Sequence, residues 1–451
     1  CMSIGVGKYV VLASAGAGGE AYWINLLGGT SSDEFEAVAV DSNDNVICVG
    51  DTASDGVGNR DILIAKYAND GTLEWDRTLG TSESSGNSYG AGVAIDSSDN
   101  LLVCGHASKT SLGEQAIVAK YNSSGVIQWQ RQLGESTSAD QFNSVAIDSS
   151  DNVICVGRYA DASTSYQDEI LIAKYNSSGT FQWDRKLDGN NDDYAYGVVT
   201  DSADNIYLGG HTKSIYAGNQ NDLFIAKYNS SGTIQWKRYL GDSTGVTNDL
   251  GKAIAIDSSS NLYIVGYSNT SDAAGNYDIV LAKYNSSGTF QWDKILGGSG
   301  QDFGWGVAVD ADDNVYLTGE TASDGAGSYD ALVAKYNSSG TLQWDKTLGT
   351  SGSDRCRGIA LDSNGNIFAC GYTTGDGSGS EDAYVFKVRG DGTGDGTFGS
   401  WTYEDAVLTA GEVSFVDGNA TAVTDAGISL TDSAAGLTDA VAVLTQEKID
   451  M

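Results

Sequence analysis

The sequence contains no proline, only two histidines and six cysteines, and few bases: 25 Lys and Arg stand against 60 Asp and Glu, giving a net charge of −35. The absence of proline excludes collagen-like and proline-rich disordered chains. The acidic balance argues against nucleic-acid binding, because phosphates would be repelled. No run of 18 apolar residues exists, so we predict no membrane span.

The cysteines show no metal-ligand spacing. Cys48, Cys104, Cys155 and Cys370 each lie in a Val/Ile-rich segment, as small buried residues do. We therefore predict free thiols rather than disulfides. The chain starts with Cys1 and shows no signal peptide, which leaves a lipidated cysteine and a processed start as alternatives.

What the chain has in abundance is one repeat, marked by a tryptophan every 52 to 56 residues. These tryptophans are Trp23, Trp75, Trp129, Trp183, Trp236, Trp292 and Trp344. The first full unit reads as four short strands, "FEAVAVDS", "NVICVGDT", "DILIAKYA" and "GTLEWDRTLG", with turn residues between them. Four antiparallel strands per unit, repeated radially, are the pattern of a β-propeller blade.

The number of strands predicts how the ring closes. The first three strands of the unit occur seven times, whereas the first Trp strand, "YWINLLGG", precedes the first full unit. Trp401 lies 14 residues after Lys387 where the other units use 9, and Asp405 replaces the expected Leu. We therefore predict an all-β, seven-bladed propeller over residues 20–390 that is closed by the Trp23 strand. Residues 1–19 form an N-terminal extension, and residues 391–451 form an acidic, Ala/Thr/Gly-rich assembly segment.

One recurrent turn, "NSSG", joins the third and fourth strands of the unit. Asn, Ser and Gly suit it because they tolerate turn dihedrals. We expect each Trp to pack between neighbouring blades, which explains why the phrase "YNSSGTFQWD" recurs so faithfully. Because the tail beyond residue 391 has few large apolar residues, we expect it to dock on the propeller, on another copy or on a larger particle.

An acidic residue ends the first strand of every unit, and an Asn opens the second strand four residues later. The aspartates are Asp41, Asp96, Asp148, Asp201, Asp257, Asp310 and Asp362. With a Lys near the end of each third strand they predict a hydrogen-bonded Asp–Asn–Lys set per blade. Calcium is the alternative for turns such as "DSNDN", although the middle positions of "DSSSN" offer only hydroxyls. We expect no metal and no other cofactor.

Function is expected where the repeats stop agreeing. The residue five positions before each first-strand Asp differs in every unit, and in a propeller this strand is innermost. These residues are Glu36, Ala91, Asn143, Tyr196, Lys252, Trp305 and Arg357. Apart from Ala91 they predict a binding ring at one channel mouth, since aromatic residues and Arg are favoured anchors. The alternative is a set of solvated positions that are free to vary.

The unit "G-x-A-x-D-S-x-x-N-x-x-x-x-G … D-x-x-x-A-K-Y-x-x-x-G-x-x-x-W" resembles the SBBP-type β-propeller repeat over about residues 22–389. The resemblance implies the fold, and it suggests bacterial surface proteins or structural proteins of marine phages, particularly cyanophages. "AKYNSSGTLQW" is also similar to the Trp-docking phrase of quinoprotein dehydrogenases, but the adjacent-cysteine pair of many such enzymes is absent. No Gly-x-Ser-x-Gly elbow or His-based metal motif appears, so we predict no enzyme activity.

These observations favour a non-enzymatic virion protein of a phage, such as a tail fibre, knob or capsid or tail appendage. Its expected partners are other virion proteins, contacted through the termini, further copies in a homo-oligomer, and a host-surface glycan or protein. A bacterial surface or lipid-anchored binding protein, located at the cell surface or outside the cell, is the alternative. A quinoprotein-like enzyme is a weaker alternative.

Overall fold

Every element in the described part of the chain is a β-strand, as the absence of a helical period predicts. The computed structural model describes residues 7–13, 22–56, 59–81, 86–109, 113–134, 139–160, 168–189, 191–213, 220–241, 247–269, 276–412, 416–418, 424–426, 432–433, 437–440 and 446–449. Residues 7–13 and the strands beyond residue 412 are described by their backbone alone. No helix in these ranges is long and apolar enough to cross a membrane.

The strands form seven antiparallel blades, in which the first strand is innermost and the fourth lies outside the third. The first strands are Asp33–Val40, Ser88–Ile95, Gln141–Ile147, Asp193–Thr200, Asp249–Ile256, Asp302–Val309 and Asp354–Leu361. The second strands are Val46–Thr52, Leu101–Lys109, Val153–Ala160, Ile206–Thr212, Leu262–Ser268, Val315–Thr321 and Ile367–Thr373.

The two outer positions of each blade follow the same order, from blade one to blade seven. The third strands are Asp61–Tyr67, Gly113–Tyr121, Asp168–Tyr175, Asp222–Tyr228, Asp278–Tyr284, Asp330–Tyr336 and Asp382–Val388. The fourth strands of blades one to six are Leu73–Thr81, Ile127–Leu133, Phe181–Asp188, Ile234–Gly241, Phe290–Gly297 and Leu342–Gly349. First strands of neighbouring blades contact each other all round the ring, the seventh against the first. The predicted seven-bladed propeller is confirmed.

In blade seven the fourth position is taken by Tyr22–Leu27, which pairs with Asp382–Val388 and sets Trp23 opposite Lys387. The indole Nε1 of Trp23 donates to the carbonyl oxygen of Asn69 in blade one at 3.0 Å. The strand Trp401–Asp405 instead pairs with the fourth strand of blade six and is a fifth strand there. Strand 22–27 thus bonds to the C-terminal end of the propeller and contacts its beginning.

The hydrophobic core lies between the blades and includes the cysteines. The described Cys48, Cys104, Cys155, Cys356 and Cys370 are buried free thiols, as predicted for the four in strands. In the other blades each Trp side chain packs on the "NSSG"-type turn of the next blade. A Cβ on Gly179 of such a turn would come within 2.6 Å of the Trp129 ring of the preceding blade. The turn glycine and the tryptophan therefore depend on each other, which accounts for the repetition of both.

The turn between the first and second strands is tied down by its aspartate. In blade one, Asp41 Oδ1 accepts the backbone N–H groups of Asn43 and Asn45, each at 2.9 Å. Its Oδ2 accepts the Asn45 amide at 3.0 Å and pairs with Lys66 Nζ at 2.9 Å. Equivalent Lys–Asp pairs of 2.7 to 3.9 Å occur in blades two, three, five, six and seven. The side-chain oxygens considered for calcium thus accept hydrogen bonds within the scaffold.

The tail adds at least one strand to the outer edge of every blade, and in blade six it also adds Gly396–Phe398 outside the first added strand. Trp401–Asp405 covers blade six, and Thr409–Gly411 covers blade five. Val416–Gly418, Thr424–Ala426, Asp432–Ser433 and Leu437–Ala440 then cover blades four, three, two and one. Gln446–Ile449 finally runs parallel to Gly7–Ala13, which itself pairs with the outer strand of blade seven. We call these seven tail strands the belt.

The belt corrects one expectation. Because the Trp23 strand is expected beside the third strand that ends near Lys387, the sequence predicts that both termini lie close together and form a joined module that anchors the disc by one side. Gly7–Ala13 and Gln446–Ile449 do pair at blade seven, but the rest of the tail is spread along the other six blades. A tail with so few large apolar residues has no core of its own to form, so its short segments bond singly to strand edges. Of the three docking surfaces considered, the propeller itself is the one that the structure shows.

Several carboxyl groups in the outer half of the blades predict an unusual pH profile. Burial raises the pKa of Asp76, Asp330, Asp345 and Asp382 to about 6 from 3.8. Because the folded pKa exceeds the unfolded value, this contribution to stability is complete below pH 3.8 and is lost as pH rises through 6. Each unit of such a shift corresponds to about 1.4 kcal/mol.

The turn aspartates titrate in the opposite sense: burial raises the pKa of Asp41, Asp96, Asp148 and Asp201, but their several hydrogen bonds together outweigh it and lower the pKa below 3.8. Their contribution is therefore present above pH 3.8 and is lost in stronger acid. We expect the urea midpoint to rise as pH falls from about 8 to about 5, and to fall again below about pH 3. Asp330→Asn should reduce the rise of the urea midpoint between pH 8 and pH 5. A midpoint that is higher at pH 8 than at pH 5 would contradict this assignment.

Candidate binding site at the channel mouth

Each variable residue of the first strands is the extra residue of a β-bulge. In blade one, Phe35 pairs with Gly50 and Ala37 with Val49, so Glu36 has no partner in the ladder. The same register shift occurs in the other six blades, at the positions of Ala91, Asn143, Tyr196, Lys252, Trp305 and Arg357. A bulge bends the strand and re-aims a side chain. Seven copies of it point seven side chains toward the channel.

A glycine in each second strand makes the bulge sterically allowed. A Cβ on Gly319 would lie 1.9 Å from the carbonyl oxygen of Phe303, two residues before Trp305. The equivalent distance is 1.7 to 2.0 Å in the other six blades. The glycines concerned are Gly50, Gly105, Gly157, Gly210, Gly266, Gly319 and Gly371. This position is Gly in every unit because the bulged strand occupies the space of a side chain.

The six residues predicted as a binding ring line one cavity of about 660 Å³ at the channel mouth. They are Glu36, Asn143, Tyr196, Lys252, Trp305 and Arg357. Side chains that the sequence prediction missed complete the wall, among them Asp51, Tyr89, His106 and Glu114. The cavity volume falls in the range of small-molecule sites.

One half of the cavity combines cations with aromatic rings. Lys252 Nζ lies 4.2 Å from the ring centre of Tyr196, 5.1 Å from Trp305 and 5.6 Å from Tyr267. The guanidinium carbon of Arg357 lies 4.0 Å from the centre of the Trp305 ring. Such cation–π contacts hold both charges in place without neutralising them.

A buried carboxylate contacts the arginines of the cationic half of the cavity. Glu320, which is 1% exposed, pairs with Arg355 Nη1 at 3.2 Å and lies 3.9 Å from Arg357 Nη1. Burial raises the pKa of Glu320, and Arg357 and Arg355 partly offset that effect. Arg357 Nη2 also reaches the hydroxyl of Tyr372 at 3.5 Å. These long contacts leave the guanidinium available to a ligand.

The other half of the cavity is acidic. Asp51 pairs with Arg60, and Glu114 lies 3.3 Å from Arg158. Burial raises the pKa of Glu36 and of Asp51 to about 7, against the influence of Arg357 and Arg60 respectively. On the opposite side, burial and the nearby Arg357 lower the pKa of Lys252 to about 8. Shifted groups that converge on one cavity are typical of functional sites.

The two histidines, His106 and His211, lie within second strands. His106 stacks on Tyr89 at 4.9 Å and His211 on Tyr196 at 5.4 Å. Burial lowers the pKa of His106 to about 4 and that of His211 to about 3, so both are neutral near pH 7. They support aromatic walls rather than supplying charge.

His106 and His211 belong to a second variable ring that sequence reasoning missed. This ring consists of the residue after the invariant second-strand glycine: Asp51, His106, Arg158, His211, Tyr267, Glu320 and Tyr372. Its signal was present, because this residue differs among units while the glycine before it does not. Across the described residues, no cluster of three or more His, Cys, Asp or Glu side chains is arranged for a metal ion.

Family comparison agrees with this architecture. A model described as "Beta-propeller repeat", SBBP, matches residues 235–272, 291–325 and 343–377. The chain carries SBBP β-propeller repeats. The matched stretches lie in blades four to seven, and the SBBP pattern of Gly, Asp, Asn and Trp marks the bulge, the Asp turn and the contact between blades.

Two curated proteins are similar in sequence. A WD repeat-containing protein of Acanthamoeba polyphaga mimivirus is 22% identical over 78% of this chain and 31% of its own length. The regulatory protein FlaEY of Caulobacter vibrioides is 28% identical over 27% of this chain and 15% of its own length. The chain thus spans less than a third of each of these relatives. It is a β-propeller protein with a distant viral relative.

The similar solved structures include propeller enzymes. A polysaccharide lyase of the ulvan lyase family is 12% identical, with a TM-score of 0.46 over 81% of this chain and 96% of that one. A gluconolactonase from Xanthomonas campestris is 11% identical, with a TM-score of 0.37 over 80% and 96%. An arabinofuranosidase from Fusarium graminearum is 9% identical, with a TM-score of 0.43 over 66% and 92%. At these sequence identities the similarity concerns the fold and does not establish an enzymatic activity.

Proposed function

We propose that this protein is a non-enzymatic structural protein of a phage virion that binds a host-surface or partner molecule in its channel-mouth cavity. The observation that carries the binding role is the contrast between scaffold and site. Seven nearly identical blades use the same bulge and the same glycine to present seven different side chains to one cavity. A purely structural ring would have no reason to diversify these cavity-facing positions while the glycine beside them stays constant.

The chemistry of the cavity favours binding over catalysis. Its two cations are held against aromatic rings, and both histidines are neutral near pH 7. A general base or nucleophile would need a partner within hydrogen-bonding reach of the reacting atom. We therefore propose a binding protein that uses no cofactor, and the quinoprotein-like alternative gains no support from these residues.

The virion assignment is supported by the resemblance to marine phage structural proteins and by the distant mimivirus relative. The belt supports an assembly role, because its strands cover the outer edge of all seven blades, and only in blade six does another strand, Gly396–Phe398, lie further out. We propose that other virion proteins and further copies of the chain contact this rim. Several weak cavities in one symmetric assembly would then act together through avidity.

The rival location is a bacterial cell surface. Analysis of the proteins that co-purify with the native protein distinguishes the virion from the cell surface. We expect capsid or tail proteins among them. Co-purification with cell-surface proteins and with no virion protein would replace the virion assignment with the cell-surface one.

A further inference from the structure

Two cations of the cavity make few direct polar contacts, although carboxylates lie near them: Arg357 Nη1 is 3.9 Å from Glu320, and Glu36 interacts electrostatically with both Arg357 and Lys252. Within the described part of the chain, the recorded contacts of Lys252 Nζ are with three aromatic rings, and no ion pair is among them. The side chain of Arg357 is 12% exposed, yet its Nε and Nη1 have no hydrogen-bond partner there. A buried donor without an acceptor is costly, so this pair of side chains is poised for an anionic group.

The opposite wall is suited to hydroxyl groups. Asp51 and Glu114 present carboxylate oxygens, and Asn143 and Tyr89 add an amide and a phenol within the same cavity. Asn143 Nδ2 already donates to the carbonyl oxygen of Ala195 at 2.8 Å, which fixes the direction of its amide. Carboxylates accept hydrogen bonds from sugar hydroxyls but repel a second negative charge.

From this division, we propose that the cavity binds an acidic saccharide, with one sugar carboxylate between Arg357 and Lys252 and the sugar hydroxyls on the Asp51 and Asn143 side. The proposal rests on the proposed binding function and names its ligand class. Arg suits this role because its fork can meet a carboxylate with two parallel hydrogen bonds. The volume of about 660 Å³ allows one or two sugar rings.

The acidic wall limits the ligand to a low charge density. Glu36, Asp51 and Glu114 line the cavity on the side of blades one and two, and a chain of net charge −35 adds a general repulsion. A saccharide with one carboxylate in the cavity and neutral neighbouring rings fits this pattern. A densely sulfated or phosphorylated polymer does not.

The test is isothermal titration calorimetry on the full-length protein with disaccharides that contain glucuronate or galacturonate. The matched probes are their methyl esters and the corresponding neutral disaccharides. We expect at least one acid to bind and its ester and neutral counterpart to bind at least tenfold more weakly. Arg357→Gln should reduce the affinity for the acid at least tenfold, and Lys252→Met is a second variant with the same expected direction. Arg389→Gln, outside the cavity, is the control and should change nothing.

Neutral sugars that bind as well as the acids, or an Arg357→Gln variant with unchanged affinity, would overturn the proposal. If no saccharide binds while substitutions in the cavity still abolish attachment of the particle, the acidic-sugar proposal fails and the proposed binding function stands. If cavity substitutions leave attachment intact as well, both fail.

Discussion

Replacing Gly319 by alanine is expected to lower the stability of the propeller by about 3 kcal/mol and to displace Trp305 from the cavity. The new Cβ would lie 1.9 Å from the Phe303 carbonyl oxygen and 2.9 Å from its carbonyl carbon. Both are backbone atoms, so no rotation of a side chain can relieve the clash. The first strand must move, and the bulge that carries Trp305 moves with it.

Urea unfolding measures the loss of stability, and saturation binding of the cavity ligand measures the displacement. Gly411→Ala is the matched control, because its Cβ would meet only a methyl group of Ile295, at 3.2 Å. We expect that control to cost less than about 1 kcal/mol. An unchanged urea midpoint for Gly319→Ala would show that the bulge does not depend on this glycine.

Deletion of residues 400–451 should leave a folded propeller that no longer enters the virion. It removes the belt and exposes the outer edges of blades one to six, together with the edge of Gly7–Ala13. It also removes Trp401, which is fully buried and packs on Tyr384 with ring centres 5.3 Å apart. Loss of one buried Trp costs about 3 to 5 kcal/mol, so for a propeller of this size we expect the melting temperature to fall by about 5 °C.

Truncation after residue 412 is the control that separates these contributions. It keeps Trp401–Asp405 and Thr409–Gly411 on blades six and five but removes the other five belt strands. We expect this truncated chain to retain most of the thermal stability. It should still fail to enter the virion, because the outer edges of the other blades lack their belt strands. If the chain that lacks residues 400–451 joins the particle normally, the assembly role of the tail is wrong.

The fold was predictable because each blade repeats every local signal. The Trp, the "NSSG" turn and the Asp turn each have a steric or hydrogen-bonding reason that acts within one unit or between two neighbours. The exclusion of Trp401 from blade seven followed from simple spacing, and the strand pairing agrees with it. A periodic chain with local rules leaves little freedom for another architecture.

The belt was not predicted, although the tail carries a weak repeat of its own. Thr-Asp pairs recur at Thr424-Asp425, Thr431-Asp432 and Thr438-Asp439, seven residues apart. Each described belt strand has two to five residues, so its hydrophobic pattern is too short to read as a strand. These segments become strands because a blade edge offers backbone partners, which is a property of the propeller rather than of the tail.

The site was predictable only in part. Comparison between units found the bulge residues such as Trp305 and Arg357, because they vary on an otherwise constant strand. Comparison of the first strands does not find Tyr267 or Glu320, because these residues lie on second strands. The division of the cavity into a cationic and an acidic half could not be predicted either. The proximity of Lys252 to Arg357 depends on the curvature of the ring and not on spacing along the chain.

The central claim is that the diversified channel mouth binds the ligand and the repetitive scaffold does not. The most direct measurement is attachment of the purified protein to the surface that its native particle recognises, for the triple variant Tyr196→Ala, Trp305→Ala, Arg357→Ala. The matched control is Gln182→Ala, Gln235→Ala, Gln291→Ala, at exposed positions of outer strands. We predict that the cavity variant assembles normally but attaches about a hundredfold more weakly, with the control unchanged. Normal attachment of the cavity variant would contradict the claim.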